Sequence, residues 1–339
     1  MRFSGLPSIL FVCLALSGCS SSVGLSDLLP QTPSLETTSS IIRPSGPVPA
    51  VDVGVASREE PQPAVSVAAA PAPELAVARV LPSEAVAVPS ARPLALMAPD
   101  RPKASPFASG KIYSRQFRDA KPINFGPKSP KKLAVHGVDV SRWQGEIDWA
   151  KLRTQGANFA YIKATDGGDH LDPMFRKNWR GAAEAGLKRG AYHFFYWCRT
   201  AGEQADWFIR NVPKVEGALP PVIDVEYNGE SKCKRRLSRA VVLEKMQVFM
   251  DKLEAHYGQR PIIYTAPDFY RDNLEGEFPN HPFWLRSVAA HPSKVYPNRK
   301  WVFWQYSGSG LSHGVTGKID LNVFHGSEET WRKWLSANG

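Results

Sequence analysis

Between Val12 and Pro106 the chain has no aromatic residue, whereas all ten tryptophans lie between Trp143 and Trp334. A segment without large rings has little apolar surface to bury and cannot offset the entropy of ordering its backbone. The same segment is rich in proline: 15 of the 29 prolines fall between Pro30 and Pro106, among Ala, Val and Ser. The partition predicts one folded domain, residues 133–337, behind a disordered Pro/Ala/Val-rich linker over residues 19–132. Roughly 200 residues are ample for one sizeable core.

The chain opens "MRFSGLPSILFVCLALSGC": a basic Arg2, a short apolar run, then a Cys. That run is too short to span a bilayer and has the form of a signal peptide, residues 1–18. The tetrapeptide "LSGC" resembles the bacterial lipobox, which implies cleavage before Cys19 and its lipidation. The plainer alternative is an ordinary cleaved signal with an incidental cysteine. The lipobox reading implies an exported protein on the periplasmic face of a bacterial membrane. Ser20 favours the outer membrane over the inner one.

Net charge is +10, unevenly spread. Residues 111–132, "KIYSRQFRDAKPINFGPKSPKK", hold 7 basic and 1 acidic residue, against 7 and 8 in the first 110. Such a tether either touches anionic wall polymers or lipid head groups, or is simply a solvated, self-repelling segment. No zinc spacing, Gly-rich phosphate loop or RNA-binding motif points to nucleic acid. Cys13 leaves with the signal and Cys19 is the lipid candidate, so Cys198 and Cys233 remain. An even pair in an exported chain favours a disulfide, and a metal site would need more ligands nearby.

From about residue 134, short apolar runs alternate with amphipathic stretches. Strands are expected at 133–141, 158–165, 188–197, around "LPPVIDVEY", and at 260–265, 282–288, 300–307 and 318–324. Helices are expected at 148–156 from an N-cap Asp148, from Asp172-Pro173 to Gly186, and at 200–212 with a Thr200–Glu203 capping pattern. Two more are expected at about 238–257, closed by Gly258, and from about 327. Helices after the first five strands predict an α/β fold of (β/α)8 barrel type with a degenerate last third. An open doubly wound sheet would need switch-point chemistry that is not found.

In such barrels, chemistry gathers at the carboxyl ends of the strands. Asp139 ends the first strand, Asp224 and Glu226 end the fourth, and Asp320 lies in the eighth, a neighbour of the first in a closed barrel. Asp224 and Glu226 are two apart and so share a face. Crowded like charges raise at least one carboxyl pKa, which supplies the protonated acid that glycosidic cleavage requires. Aromatic and polar residues, Tyr192, His193, Tyr264, Trp304, Gln305 and Tyr306, end other strands, and aromatic walls with a carboxylate floor suit a sugar polymer. A lone D-x-E is more often an ion pair beside a solvated acid, but four acids at strand ends reverse those odds.

The ordered set "HGVDVSRWQGEIDW", "FAYIKATDG", "AGLKRGAYHFF", "EQADWF", "LPPVIDVE", "PIIYT" and "FWQYSGSG…GKIDLN" resembles the family-25 glycoside hydrolases, lysozymes of the N-acetylmuramidase type. The resemblance covers residues 135–324. It implies an irregular (β/α) barrel of five βα units plus three further strands, acting on peptidoglycan glycan strands as a monomer without cofactor or metal. It makes Glu226 the general acid and Asp224 its partner at the acetamido group or the developing charge. Asp139 and Asp320 orient and tune that pair, and Tyr192, Tyr264, Trp304 and Gln305 shape the sugar subsites. Two departures stand out: Asp166 where the family usually has Glu, and "FWLRSV" with Arg286 where it often reads like "LWLA-Y". A Cys198–Cys233 bond would fasten the loop after Glu226.

The remaining candidates have plainer readings. His193 reads as hydrogen-bonded structure, and His136 and His170 have no partner nameable from sequence. Lys163 pairs with a site acid for structure or for function, and Trp207 and Phe208 read as core. Two rival functions stay open: a chitinase-like hydrolase, which would usually show a longer acidic run, and a non-catalytic wall-binding lipoprotein.

Overall fold

Alternation along each strand sorts residues to the inside or outside of a barrel. Among the residues that the computed structural model describes, 110–229 and 232–338, the elements run β1 (Arg118–Asp119), β2 (His136–Val140), α1 (Trp149–Thr154), β3 (Phe159–Asp166) and β4 (His170–Leu171). Next come α2 (Phe175–Glu184), β5 (Lys188–Phe194), α3 (Ala201–Asn211), β6 (Val222–Val225), α4 (Arg239–Tyr257) and β7 (Ile262–Thr265). The chain closes with α5 (Pro267–Phe269), β8 (Phe283–Arg286), α6 (Pro292–Val295), β9 (Phe303–Leu311), β10 (Ile319–Phe324) and α7 (Glu328–Asn338). The expected signal peptide over 1–18, Cys19 and the linker up to 109 lie outside the described residues.

Strands β2, β3, β5, β6, β7, β8 and β9 pair in parallel in that order. Strand β10 closes the barrel by running antiparallel to both β9 and β2. Because β10 runs backwards, its first residues, not its last, reach the carboxyl-end face. All eight expected barrel strands are present, and helices follow the first five, the fifth shrinking to α5 and a π-turn over Tyr270–Leu274.

The local signals act as expected at most ends. The Asp148 side chain accepts the Lys151 N–H at 2.9 Å, and that of Thr200 accepts the Glu203 N–H at 3.3 Å. Gly258 ends α4 with φ +74°, a left-handed conformation that costs glycine little. Helix α2 differs: it starts at Phe175, because the Asp172 carboxylate accepts the N–H groups of Met174 and Arg142 and holds the preceding turn.

The lower barrel interior is a plug of rings from alternate positions. Phe159 and Phe303 centroids lie 4.9 Å apart, and Tyr161 stacks on Trp284 at 5.0 Å. Neighbouring inward positions must then be glycine: a Cβ on Gly137 would come within 2.6 Å of the Phe159 ring, and one on Gly190 within 2.2 Å of the Tyr161 ring. A second apolar layer lies between barrel and helices, where α4 buries Val242, Met246, Phe249, Met250, Leu253 and Tyr257 at helical spacing.

The expected boundary at 133 is corrected. Arg118 and Asp119 pair with Leu311 and Gly310, and Phe117 is buried. Asn158 grips the Tyr113 backbone at 2.8 and 3.0 Å, and Arg153 donates to the Lys111 carbonyl at 2.6 Å. The reason is compositional: Tyr113, Phe117 and Phe125 give this basic segment the rings that the preceding residues lack, and Phe125 packs edge-on against Trp304 at 5.0 Å.

Candidate active site

One step above the ring plug, the same inward alternation changes chemistry. It presents Asp139 (β2), Lys163 (β3), Tyr192 (β5), Asp224 (β6), Tyr264 (β7), Arg286 (β8), Gln305 (β9), and Asp320 and Asn322 (β10), with Glu226 one residue beyond β6. Asp320 and Asp139 are direct register partners across the antiparallel β10–β2 pair, so the two expected neighbours do meet. Asp224 has Tyr264 as its register partner on β7, and Arg286 has Gln305 on β9.

A hydrogen-bond chain fixes Asp139. The Trp284 indole donates to Asn322 Oδ1 at 2.8 Å, and Asn322 Nδ2 donates to Asp139 Oδ1 at 2.6 Å. Gln305 Nε2 donates to the same oxygen at 2.9 Å, and the Tyr264 hydroxyl donates to Gln305 Oε1 at 2.9 Å. The aromatic plug thus sets the position of a carboxylate one layer above it.

Glu226 is 1 % exposed, and neither carboxyl oxygen meets a hydrogen-bond donor among the described residues. Its pKa is pushed from 4.5 up to about 7, first by burial; Arg286 opposes the shift, while Asp268 and Asp139 add to it. The expected cause was crowding by Asp224, and desolvation takes its place as the leading one. Burial likewise lifts Asp139 to about 6 against the hydrogen bonds from Gln305 and Asn322 and the charge of Arg286. A buried carboxyl that holds its proton near neutral pH is a proton donor in waiting.

The backbone around Glu226 is latched from the neighbouring loop. The Trp197 indole donates to the Glu226 carbonyl at 2.7 Å. Asn228 accepts the Trp197 N–H at 3.1 Å and donates to the Phe195 carbonyl at 3.0 Å. Cys198 and Cys233 are disulfide-bonded, which ties the same two loops together as expected.

Of the residues expected at the site, Glu226, Asp224, Asp139, Asp320, Tyr192, Tyr264 and Gln305 converge, Gln305 on Asp139. Trp304 does not, and its subsite assignment is corrected. Adjacent strand residues face opposite ways, so with Gln305 inward Trp304 points outward. It is fully buried beneath Phe125 and Tyr306 and donates its indole N–H to the Ser287 carbonyl at 2.8 Å. His193 faces outward too, between Thr165 at 2.7 Å and Gln204 at 3.0 Å, and burial lowers its pKa to about 4, as its structural reading expects. His136 has partners after all, the Tyr306 hydroxyl and the Leu133 carbonyl. Phe208 is core, whereas Trp207 is half-buried and donates to the His170 carbonyl at 2.9 Å. Lys163 pairs with Asp166 at 2.9 Å, so the departure at Asp166 answers a cation on its own strand.

Sequence reasoning passed over Asn322, Trp284 and the place of Arg286. Counting in twos from Asp320 along its strand would have found Asn322, whereas β8 carried no expected site residue from which to count to Trp284 and Arg286. Trp143, on the loop after β2, was passed over too; it is 37 % exposed beside the site, with the Arg142 guanidinium 4.5 Å above its ring.

The family described as "Glycosyl hydrolases family 25" matches residues 138–315, from the strand carrying Asp139 to the loop before Asp320. The chain belongs to this family. Among proteins, it is 38 % identical over 226 residues to "Uncharacterized protein YegX" of Escherichia coli K12, covering 64 % of this chain and 79 % of that one. It is 36 % identical over 203 residues to "Lysozyme M1" of Streptomyces globisporus, covering 57 % and 68 %. Among solved structures, a family 25 glycosyl hydrolase from Bacillus anthracis superposes with TM-score 0.56 at 41 % identity, over 60 % of this chain and 94 % of that one. The protein is therefore a glycoside hydrolase of the lysozyme type.

Proposed function

We propose that the domain is an N-acetylmuramidase, hydrolysing the β-1,4 bond between N-acetylmuramic acid and N-acetylglucosamine in peptidoglycan. The observation that carries this reading is Glu226: a buried carboxyl with unoccupied oxygens, held protonated near neutral pH at the mouth of an acid-lined barrel. Glu226 donates its proton to the glycosidic oxygen as the bond to the leaving sugar breaks. Asp224, on the same strand face, orients the acetamido group that stabilises the anomeric centre, and water completes the hydrolysis. Asp139, gripped by Gln305 and Asn322, and Asp320 opposite it hold the negative field in which positive charge develops on the sugar. Tyr192 and Tyr264 wall the cleft, and Trp143 offers a ring face for a sugar to stack on.

The test is purified protein on peptidoglycan and on chitin, with Glu226→Gln alongside. The expected result is new reducing ends bearing N-acetylmuramic acid from the wild type and none from the variant. Equal cleavage of chitin would move the reading to a chitinase-like hydrolase, and binding without cleavage would end the enzymatic one. The lipobox-like "LSGC" extends the proposal to an exported protein held at the periplasmic face of a bacterial membrane, the outer one, through a lipid on Cys19. Cys19→Ser should release it from the membrane fraction; full retention would overturn the anchor.

A further inference from the structure

Arg286 is the last residue of β8 and faces inward beside its register partner Gln305, in the layer that holds Asp139 and Tyr264. Only 7 % of it is exposed. Its charge persists there: burial disfavours the cation, but Tyr264, Glu226 and Asp320 in their ionised forms more than offset this and hold its pKa above the ordinary arginine value. Yet the guanidinium makes no hydrogen bond and no ion pair with any described residue. The other inward cation of this layer, Lys163, is matched by Asp166 at 2.9 Å.

A guanidinium at the floor of a narrow opening, without an ion-pair partner among the described residues, is a ready receptor for an approaching anion of matching shape. A planar five-donor fork is built for a carboxylate taken in two-point fashion. The acids around it do not play that part: neither Asp139, Glu226 nor Asp320 forms an ion pair with it, Asp139 is held by two amides, and the Glu226 oxygens must stay free for proton transfer. The missing partner therefore comes with the substrate.

We propose that Arg286 is a specificity-determining residue that receives a free carboxylate of the bound glycan, the 3-O-lactyl carboxylate of a muramic acid from which the peptide has been removed. This rests on the muramidase reading. Neutral N-acetylglucosamine has no such group, and a peptide-bearing lactyl group is an amide. The enzyme is thereby directed to peptide-free stretches of glycan, and so acts after an amidase-type reaction that strips the stem peptides.

The experiment compares kcat and KM of the full-length protein on three soluble strands of equal length: peptide-free glycan, the same glycan with its lactyl carboxylates amidated, and a chitin oligosaccharide. Wild type should favour the free carboxylate over the amide by roughly ten- to hundred-fold in kcat/KM. Arg286→Met should bring that ratio to within about two-fold of one, whatever its absolute rate, and Arg286→Lys should restore part of it. Because the wild-type comparison needs no variant, misfolding of Arg286→Met leaves the test intact. Equal wild-type rates on free and amidated strands, or an unchanged preference in Arg286→Met, would overturn the proposal while leaving the muramidase reading standing. Failure of wild type to cleave either muramic-acid strand would overturn that reading and this proposal with it.

Discussion

The lower and upper halves of the barrel interior are built by the same strands under the same alternation, yet they hold opposite chemistry. Below, Phe159, Tyr161, Trp284 and Phe303 are each at most 2 % exposed and touch ring to ring. Above, two residues further along, roughly 7 Å, stand Asp139, Lys163, Asp224 and Arg286, all buried too, the two acids as deeply as the rings. Burying charge costs stability and burying rings contributes it. The lower layer thus carries the cost of the upper one, and the Trp284–Asn322–Asp139 chain is where the two halves are joined.

Four changes would break or sharpen that contrast. The largest effect on activity is expected from Glu226→Gln, which should lower kcat by at least about 10³-fold while leaving the thermal midpoint unchanged or raised. Reducing-end release and calorimetry on the same sample check both halves of that statement. Phe303→Ala in the lower layer should do the reverse. It should cost about 3–5 kcal/mol in urea unfolding but change kcat/KM only a few-fold at temperatures where the variant stays folded.

The third change is in pH. A carboxyl whose pKa is higher in the folded than in the unfolded state binds its proton more tightly in the native protein. Stability from Glu226 is therefore fully present below its ordinary 4.5 and is lost as pH rises through about 7; Asp139 follows the same sign, ending near 6. Glu226→Gln should flatten the decline over that window by on the order of 3 kcal/mol. Activity should fall above about pH 7, where Glu226 gives up its proton. The smallest effect belongs to Trp143→Ala at the rim, a several-fold rise in KM with kcat nearly unchanged, read from initial rates on soluble glycan.

Much of this contrast was legible before any coordinates. Strand ends followed from apolar runs broken by Gly, Pro and capping residues, and the four acids followed from their places on those runs. Two kinds of information were missing. Inward or outward facing was not applied to every strand, so Trp304 was counted beside Gln305 although neighbours on a strand cannot both line the cleft. Nor does sequence spacing reveal desolvation. Asp224 and Glu226 look like a pair whose mutual repulsion sets the pKa, whereas burial of Glu226 is the leading cause of its shift. The early start of the domain had a readable signal in Tyr113, Phe117 and Phe125, masked by the prolines and lysines around them.

The central claim is that Glu226 is a buried acid still holding its proton near neutral pH. The direct test is a ¹³C NMR titration of the protein with labelled glutamate carboxyls, the Glu226 signal assigned by its loss in Glu226→Gln. The account predicts a carboxyl that titrates near pH 7 and moves higher when Arg286 is replaced by Met. A Glu226 signal already ionised at pH 5 would contradict it.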